Sequence, residues 1–183
     1  SVLNKVKTEE AEQSELPMKF RVLYAGNMGR AHPYETILDA AEILYENDTD
    51  IEFLFVGSTA RLQALAKERA RRGLDNVRFL PYQPRRKLRA MLESGDIHII
   101  SMSEEAVGCM LPSRIYDVFE IQRPCIFVGP ETSDLSLMLE HYEAGLTIQQ
   151  GEPEILANAI RHLRDNGQDW HTLYEGAAQA AKA

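Results

Sequence analysis

The chain has 183 residues, 44% hydrophobic and 26% charged, which is enough for one well-buried domain but not for two. Its formal net charge of −8 argues against a nucleic-acid binder, which normally presents a net basic face. Cys109 and Cys125 have neither metal-ligand spacing nor disulfide-framework density, so a reducing cytoplasm is expected.

No apolar run approaches the roughly 20 residues of a membrane span, and no signal peptide is present. The chain opens on Ser1 rather than Met, as expected of a piece of something longer. Residues 1–18, SVLNKVKTEEAEQSELPM, are mostly charged and polar and read as a linker or arm, with one domain over 19–183. From Phe20 a regular alternation begins. Apolar runs at 20–26, 51–57, 76–82, 96–102, 124–129 and 145–149, bounded by turn residues, predict six buried strands.

Helical spacing separates them. Ile37, Ala40, Ala41 and Leu44 mark the first helix, with Pro33 expected in its first turn. Leu62, Leu65 and Ala66 mark the second, stopped by Gly73. Leu88, Met91 and Leu92 form the third stripe, and Ile115, Val118 and Phe119 the fourth, opened by Pro112. Stripes at 135–142 and 156–163 follow, and a last helix carries Trp170, Leu173, Tyr174 and Ala177. Trp170 and Tyr174 read as a packed stripe rather than a sugar platform. Basic clusters at 67–72 and 85–89 read as solvated helix faces. Strands alternating with helices predict an α/β, doubly wound, parallel six-stranded Rossmann-like sheet.

In such a sheet, ligands bind beyond the carboxyl ends of the strands. The loop after the first strand reads G-N-M-G-R (Gly26–Arg30). It is neither G-x-G-x-x-G nor G-x-x-x-x-G-K-[ST], and the second strand ends FVGSTA without an acidic residue for a ribose. The missing G-x-G-x-x-G and acidic residue speak against a nicotinamide enzyme, and the missing G-x-x-x-x-G-K-[ST] against a P-loop ATPase. Two readings stay open: glycines that let amides approach an anion, or a turn kept for geometry. The fourth loop, SMSEEAVGCMLPSRIYDVFE (101–120), is long and ends at a helix start with free amides over Met110–Ser113. Asp117 points away from the apolar stripe, either towards a ligand or into an i, i+3 pair with Arg114. His32, His98, His141, His162 and His171 show no ligand spacing, so no metal and no cofactor are expected; His98 reads as a packed strand residue.

The segments VLYAGNMGRAHPYETILDAAEIL, IEFLFVGS, LDNVRFLPYQPRRKLRAMLESGDIHII and LPSRIYDVFEIQRPCIFVG resemble, over residues 20–181, the C-terminal, donor-binding half of a family-four glycosyltransferase of GT-B fold. The likeness is to the bacterial cell-surface polysaccharide branch, which includes colanic-acid-type transferases. It implies a glycosyltransferase moving a sugar, with retention, from a UDP- or GDP-type donor to a glycan or lipid-linked acceptor. It places Gly26, Asn27, Gly29 and Arg30 at the donor pyrophosphate, with Arg30 as the cation. It places the backbone around Leu80, Tyr82 and Gln83 near the base, Leu111, Pro112 and Ser113 at the phosphates, and Asp117 at the ribose.

The departures from the family pattern are specific. Asn27 and His32 stand where the family carries Arg and Lys, and E-x₇-E becomes Cys109-x₇-Asp117, with Glu104 and Glu105 as substitute carboxylates. The resemblance implies a missing N-terminal acceptor-binding domain or partner chain. It also implies a cytoplasmic setting at the inner face of the membrane, with peripheral association through the rest of the enzyme. The isolated chain is expected to bind donor weakly and to transfer nothing. The alternative is a non-catalytic domain of the same ancestry used for protein association.

Overall fold

The computed structural model describes residues 18–183; the arm expected over 1–18 lies, but for Met18, outside the described residues. Strands β1 (Phe20–Ala25), β2 (Ile51–Val56), β3 (Val77–Leu80), β4 (Ile97–Ser101), β5 (Cys125–Val128) and β6 (Gly145–Ile148) form one sheet in the order β3-β2-β1-β4-β5-β6. Every pairing is parallel. All six predicted strands are present, some a residue or two shorter at their ends. β2, β4 and β5 are buried along their whole length, as a sheet covered on both faces requires. The one acid in β2, Glu52, is buried against Arg21 at 2.8 Å, which keeps its charge paired.

Among the described residues, seven α-helices cover the sheet: α1 (Glu35–Asn47), α2 (Ala60–Arg72), α3 (Arg85–Glu93), α4 (Arg114–Glu120), α5 (Asp134–Tyr142), α6 (Pro153–Asp165) and α7 (Gly167–Lys182). Thr59 caps α2 by accepting the Leu62 amide, and Gly73 ends it in the left-handed conformation. Pro33 is not in the first turn of α1. The N-cap is Tyr34, because the chain first makes a turn in which the His32 amide donates to the Gly29 carbonyl at 3.0 Å. Pro112 does open α4: its carbonyl accepts the Ile115 amide at 3.1 Å in a tight first turn.

The strand order reverses direction at the β1/β4 pair, so the loops leaving these two strands part to opposite sides and open a crevice at their carboxyl ends. Behind it, α7 lies across α4, α5 and α6. Ala177 shares one buried cluster with Ile115, Val118 and Phe119 of α4. At Gly176 a side chain would run into the backbone carbonyls of Tyr142 and Glu143, so α7 rests backbone to backbone on the end of α5. Trp170 packs half-buried on the main core, stacks on Tyr174 at 5.5 Å and donates its Nε1 to the Asp96 carbonyl at 2.8 Å. It is a packing residue.

Candidate functional site at the β1/β4 crevice

A cavity of about 150 Å³ opens at the carboxyl ends of β1 and β2. Ala25, Gly26 and Val56 form its strand side, and Ile99 and Ile100 of β4 its floor. Tyr82 and Gln83, which follow β3, form one wall with Leu88 and Met91 of α3. Arg114, Asp117 and Val118 of α4 form the other. The lining is mostly apolar; buried His98 of β4 and the side chains of Gln83, Arg114 and Asp117 add polar groups, the usual composition of a small-molecule site. Leu88 and Met91 therefore do not belong to a sealed core stripe: Leu88 is exposed and Met91 half-buried, and only Leu92 of the predicted trio is buried.

The first loop is shaped by close approaches. Gly26 has φ +123°, and a Cβ there would stand 3.1 Å from the Arg114 guanidinium carbon. Gly57, at the end of β2, is equally confined: a Cβ would lie 2.8 Å from the Gly26 carbonyl. Gly29, by contrast, faces open space and needs no special backbone angle. After the Gly26 amide, which is bound to the Val56 carbonyl at 3.0 Å, the amides of Asn27 to Ala31 meet no backbone acceptor among the described residues. The loop thus offers a run of free donors.

Arg114 reaches back from α4 to this loop. Its guanidinium lies over the Tyr24 ring at 4.5 Å, and Nη2 donates to the Asn27 carbonyl at 3.0 Å. Nη1 is buried with no partner among the described residues, as is the Tyr24 hydroxyl. The i, i+3 pair with Asp117 does not form, which leaves Asp117 exposed at the cavity rim without a cationic partner among the described residues. Burial pushes the Tyr24 hydroxyl pKa up, partly offset by Arg114. His32 engages the Ser101 carbonyl through Nδ1 at 2.7 Å. Its pKa is lowered, first by burial and then by the Arg114 and Arg61 charges, with the Ser101 carbonyl opposing.

The structure brings Gly26, Tyr82, Gln83 and Asp117 around one cavity. Asn27, Gly29 and Arg30 sit exposed on the loop beside it. Leu80 turns into a small core cluster, and its carbonyl accepts the Gly57 amide at 3.0 Å. Leu111 is half-buried, Pro112 buried and Ser113 exposed; the amides of Leu111 and Ser113 have no backbone acceptor among the described residues. Glu104 and Glu105 do not reach the cavity. They lie exposed in a single 3₁₀ turn, Glu104–Ala106, with Glu104 lining a separate, larger hollow of about 640 Å³ beside Glu35 and Glu131. Cys109 is an exposed free thiol. Among the described residues, no group of three His, Cys, Asp or Glu side chains is arranged to hold a metal ion.

Tyr24, Leu88, Met91 and Arg114 are the site residues that sequence reasoning missed. An apolar pair on the otherwise basic third helix was a usable signal for Leu88 and Met91. For Tyr24 and Arg114 there was none, because their contact spans 90 positions of sequence and is made only by the sheet.

A doubly wound sheet with a donor-rich loop and an apolar cavity at its reversal point defines a Rossmann-like ligand-binding domain. The sequence profile of the group 1 glycosyl transferases matches residues 19–166. The chain belongs to that family, and its sheet is one half of a GT-B fold. It is 28% identical over 141 residues to WcaI of Escherichia coli (strain K12), a protein named for colanic acid biosynthesis glycosyl transfer. It is 22% identical over 140 residues to the glycosyltransferase-named WbjE of Pseudomonas aeruginosa. Both alignments cover 76% of this chain, which spans 34% of the length of these curated relatives. Among solved structures, Anabaena HepE in complex with UDP-glucose is similar, with a TM-score of 0.75 at 18% identity over 96% of this chain and 47% of that one. The C-terminal domain of LpcC from Francisella tularensis, a glycosyl transferase group 1 protein, gives 0.74 at 13% identity, covering 95% of this chain and 90% of that domain. No helix among the described residues is long and apolar enough to cross a membrane.

Proposed function

We propose that residues 19–183 are the donor-binding domain of a retaining glycosyltransferase, which takes a sugar from a nucleoside-diphosphate sugar to a glycan or lipid-linked acceptor bound by a second domain or partner chain. The observation that carries this reading is the meeting of the first loop, the Tyr82–Gln83 segment and Asp117 around one cavity at the sheet's reversal point. The apolar wall of Leu88 and Met91 suits a base, with Tyr82 and Gln83 at its edge. Asp117, uncompensated at the rim, accepts the ribose hydroxyls. The amides from Asn27 to Arg30 and those of Leu111 and Ser113 face the diphosphate, with Arg30 adding charge at the surface and Pro112 shaping the turn. The names of WcaI and WbjE, and the UDP-glucose held by HepE, support the same assignment.

Calorimetric titration with UDP, GDP and ADP tests it. One nucleoside diphosphate should bind saturably, and Asp117→Ala should weaken it about 10- to 100-fold, the worth of a charge-assisted hydrogen bond. Silence with all three at millimolar concentration would instead make this an association domain of the same ancestry. The replacement of both first-loop cations by Asn27 and His32, and of the first family Glu by Cys109, fits that second reading.

A further inference from the structure

We propose that Arg114, carried by α4, is the fixed cation that receives the donor's diphosphate, a role its own first loop does not fill; this rests on the donor-binding reading above. The argument is one of charge and position. A diphosphate brought to the amides after Gly26 needs positive charge held in place, and the loop supplies little of it. Asn27 is neutral, and Arg30 is exposed and does not line the cavity. His32 is half-buried with Nδ1 engaged by the Ser101 carbonyl, and burial together with two nearby guanidinium groups disfavours its protonation.

Arg114 has what the loop lacks. The Tyr24 ring beneath it and the Asn27 carbonyl at 3.0 Å hold the guanidinium in one orientation, so little further side-chain freedom is lost on binding. It makes no ion pair among the described residues. One terminal nitrogen, Nη1, is buried without an acceptor. An unpaired charge beside a buried donor without an acceptor is unfavourable by itself, and an anion at the cavity rim offsets the charge. Gly26 adds an independent sign: its missing side chain is what gives the guanidinium room beside the loop. Asp117, one helical turn on, holds the ribose at a distance from the cation instead of neutralising it.

The test compares UDP with uridine by calorimetry (GDP with guanosine, should GDP be the tighter nucleotide). Arg114→Gln should weaken UDP about 30-fold while changing uridine less than about 2-fold. Arg30→Gln should cost UDP about 3-fold, as expected for an exposed charge, and Arg114→Lys should recover part of the loss. The ratio of the two affinities is the readout, because a merely loosened site loses both ligands together. In the unmodified chain, the Arg114 guanidinium Nε resonance should also move on saturation with inorganic pyrophosphate, a measurement that stands even if the glutamine variant does not fold. Equal loss of UDP and uridine, an unchanged UDP affinity, or a resonance that stays still overturns the proposal while leaving nucleotide binding itself intact. A wild-type chain that binds neither ligand overturns the donor-binding reading instead, and this one with it.

Discussion

His98 sits inside β4 with 2% of its surface exposed, and its Nε2 meets the Leu92 carbonyl at 2.9 Å. Burial first, and the Arg123 charge in addition, hold its pKa down to about 4 from 6.5, against the pull of that carbonyl. The folded state therefore binds fewer protons than the unfolded chain between these two values. Its contribution to stability is complete above pH 6.5 and is lost as pH falls through 4. Urea unfolding at pH 7, 5 and 4 should show the chain losing roughly 3 kcal/mol over this window. His98→Gln should flatten that part of the profile; an unaltered slope would show that other groups govern it. At this scale helical spacing turns Asp117 from the stripe, and the structure has it exposed at the cavity rim. Sequence reasoning did not reach Arg114, because an i, i+3 neighbour is the local expectation and a distant aromatic face won instead.

Between elements, one tie is made by a buried acid at a helix end. Asp48, which follows α1, is buried and accepts Arg161 and Arg164 of α6, each at 2.8 Å. It thereby joins the helix that leaves the first loop to one far along the chain. Asp48→Ala should lower unfolding stability by about 2 kcal/mol, less than a wholly buried pair because both arginines keep contact with water. Arg164 also retains Asp50 and Asp165. Denaturant titration with an unchanged m-value would confirm it, and a loss below about 0.5 kcal/mol would refute it. The basic run at 67–72 was legible only as a charged face; in the fold, Arg72 gathers Asp39, Glu42 and Glu68 and braces α2 against α1. The strands and most helix ends were legible, since continuous apolar runs and residues such as Gly73 act locally. The third stripe misled, because a helix that walls a cavity carries the same spacing as one that walls a core.

For the molecule as a whole, the doubly wound order followed from the alternation of elements and the right-handed crossover rule. The position of α7 did not, since nothing local says which helices a terminal one will cover. Resting on α5 and packed on α4, it supports from behind the short helix that presents Arg114 and Asp117. Gly176→Ala should thus lower the melting temperature by several degrees and weaken UDP a few-fold without touching the cavity, as expected when a methyl group is forced against backbone. Differential scanning calorimetry paired with the UDP titration checks it. Wild-type values for both would mean that α7 can shift freely.

The narrow gap between Gly26 and the guanidinium of residue 114 also bears on how such domains diverge. With about 3.1 Å available, a larger residue at 26 dislodges the arginine from its aromatic seat, and a chain that has lost the arginine no longer needs the bare backbone for that purpose. The two positions therefore constrain each other.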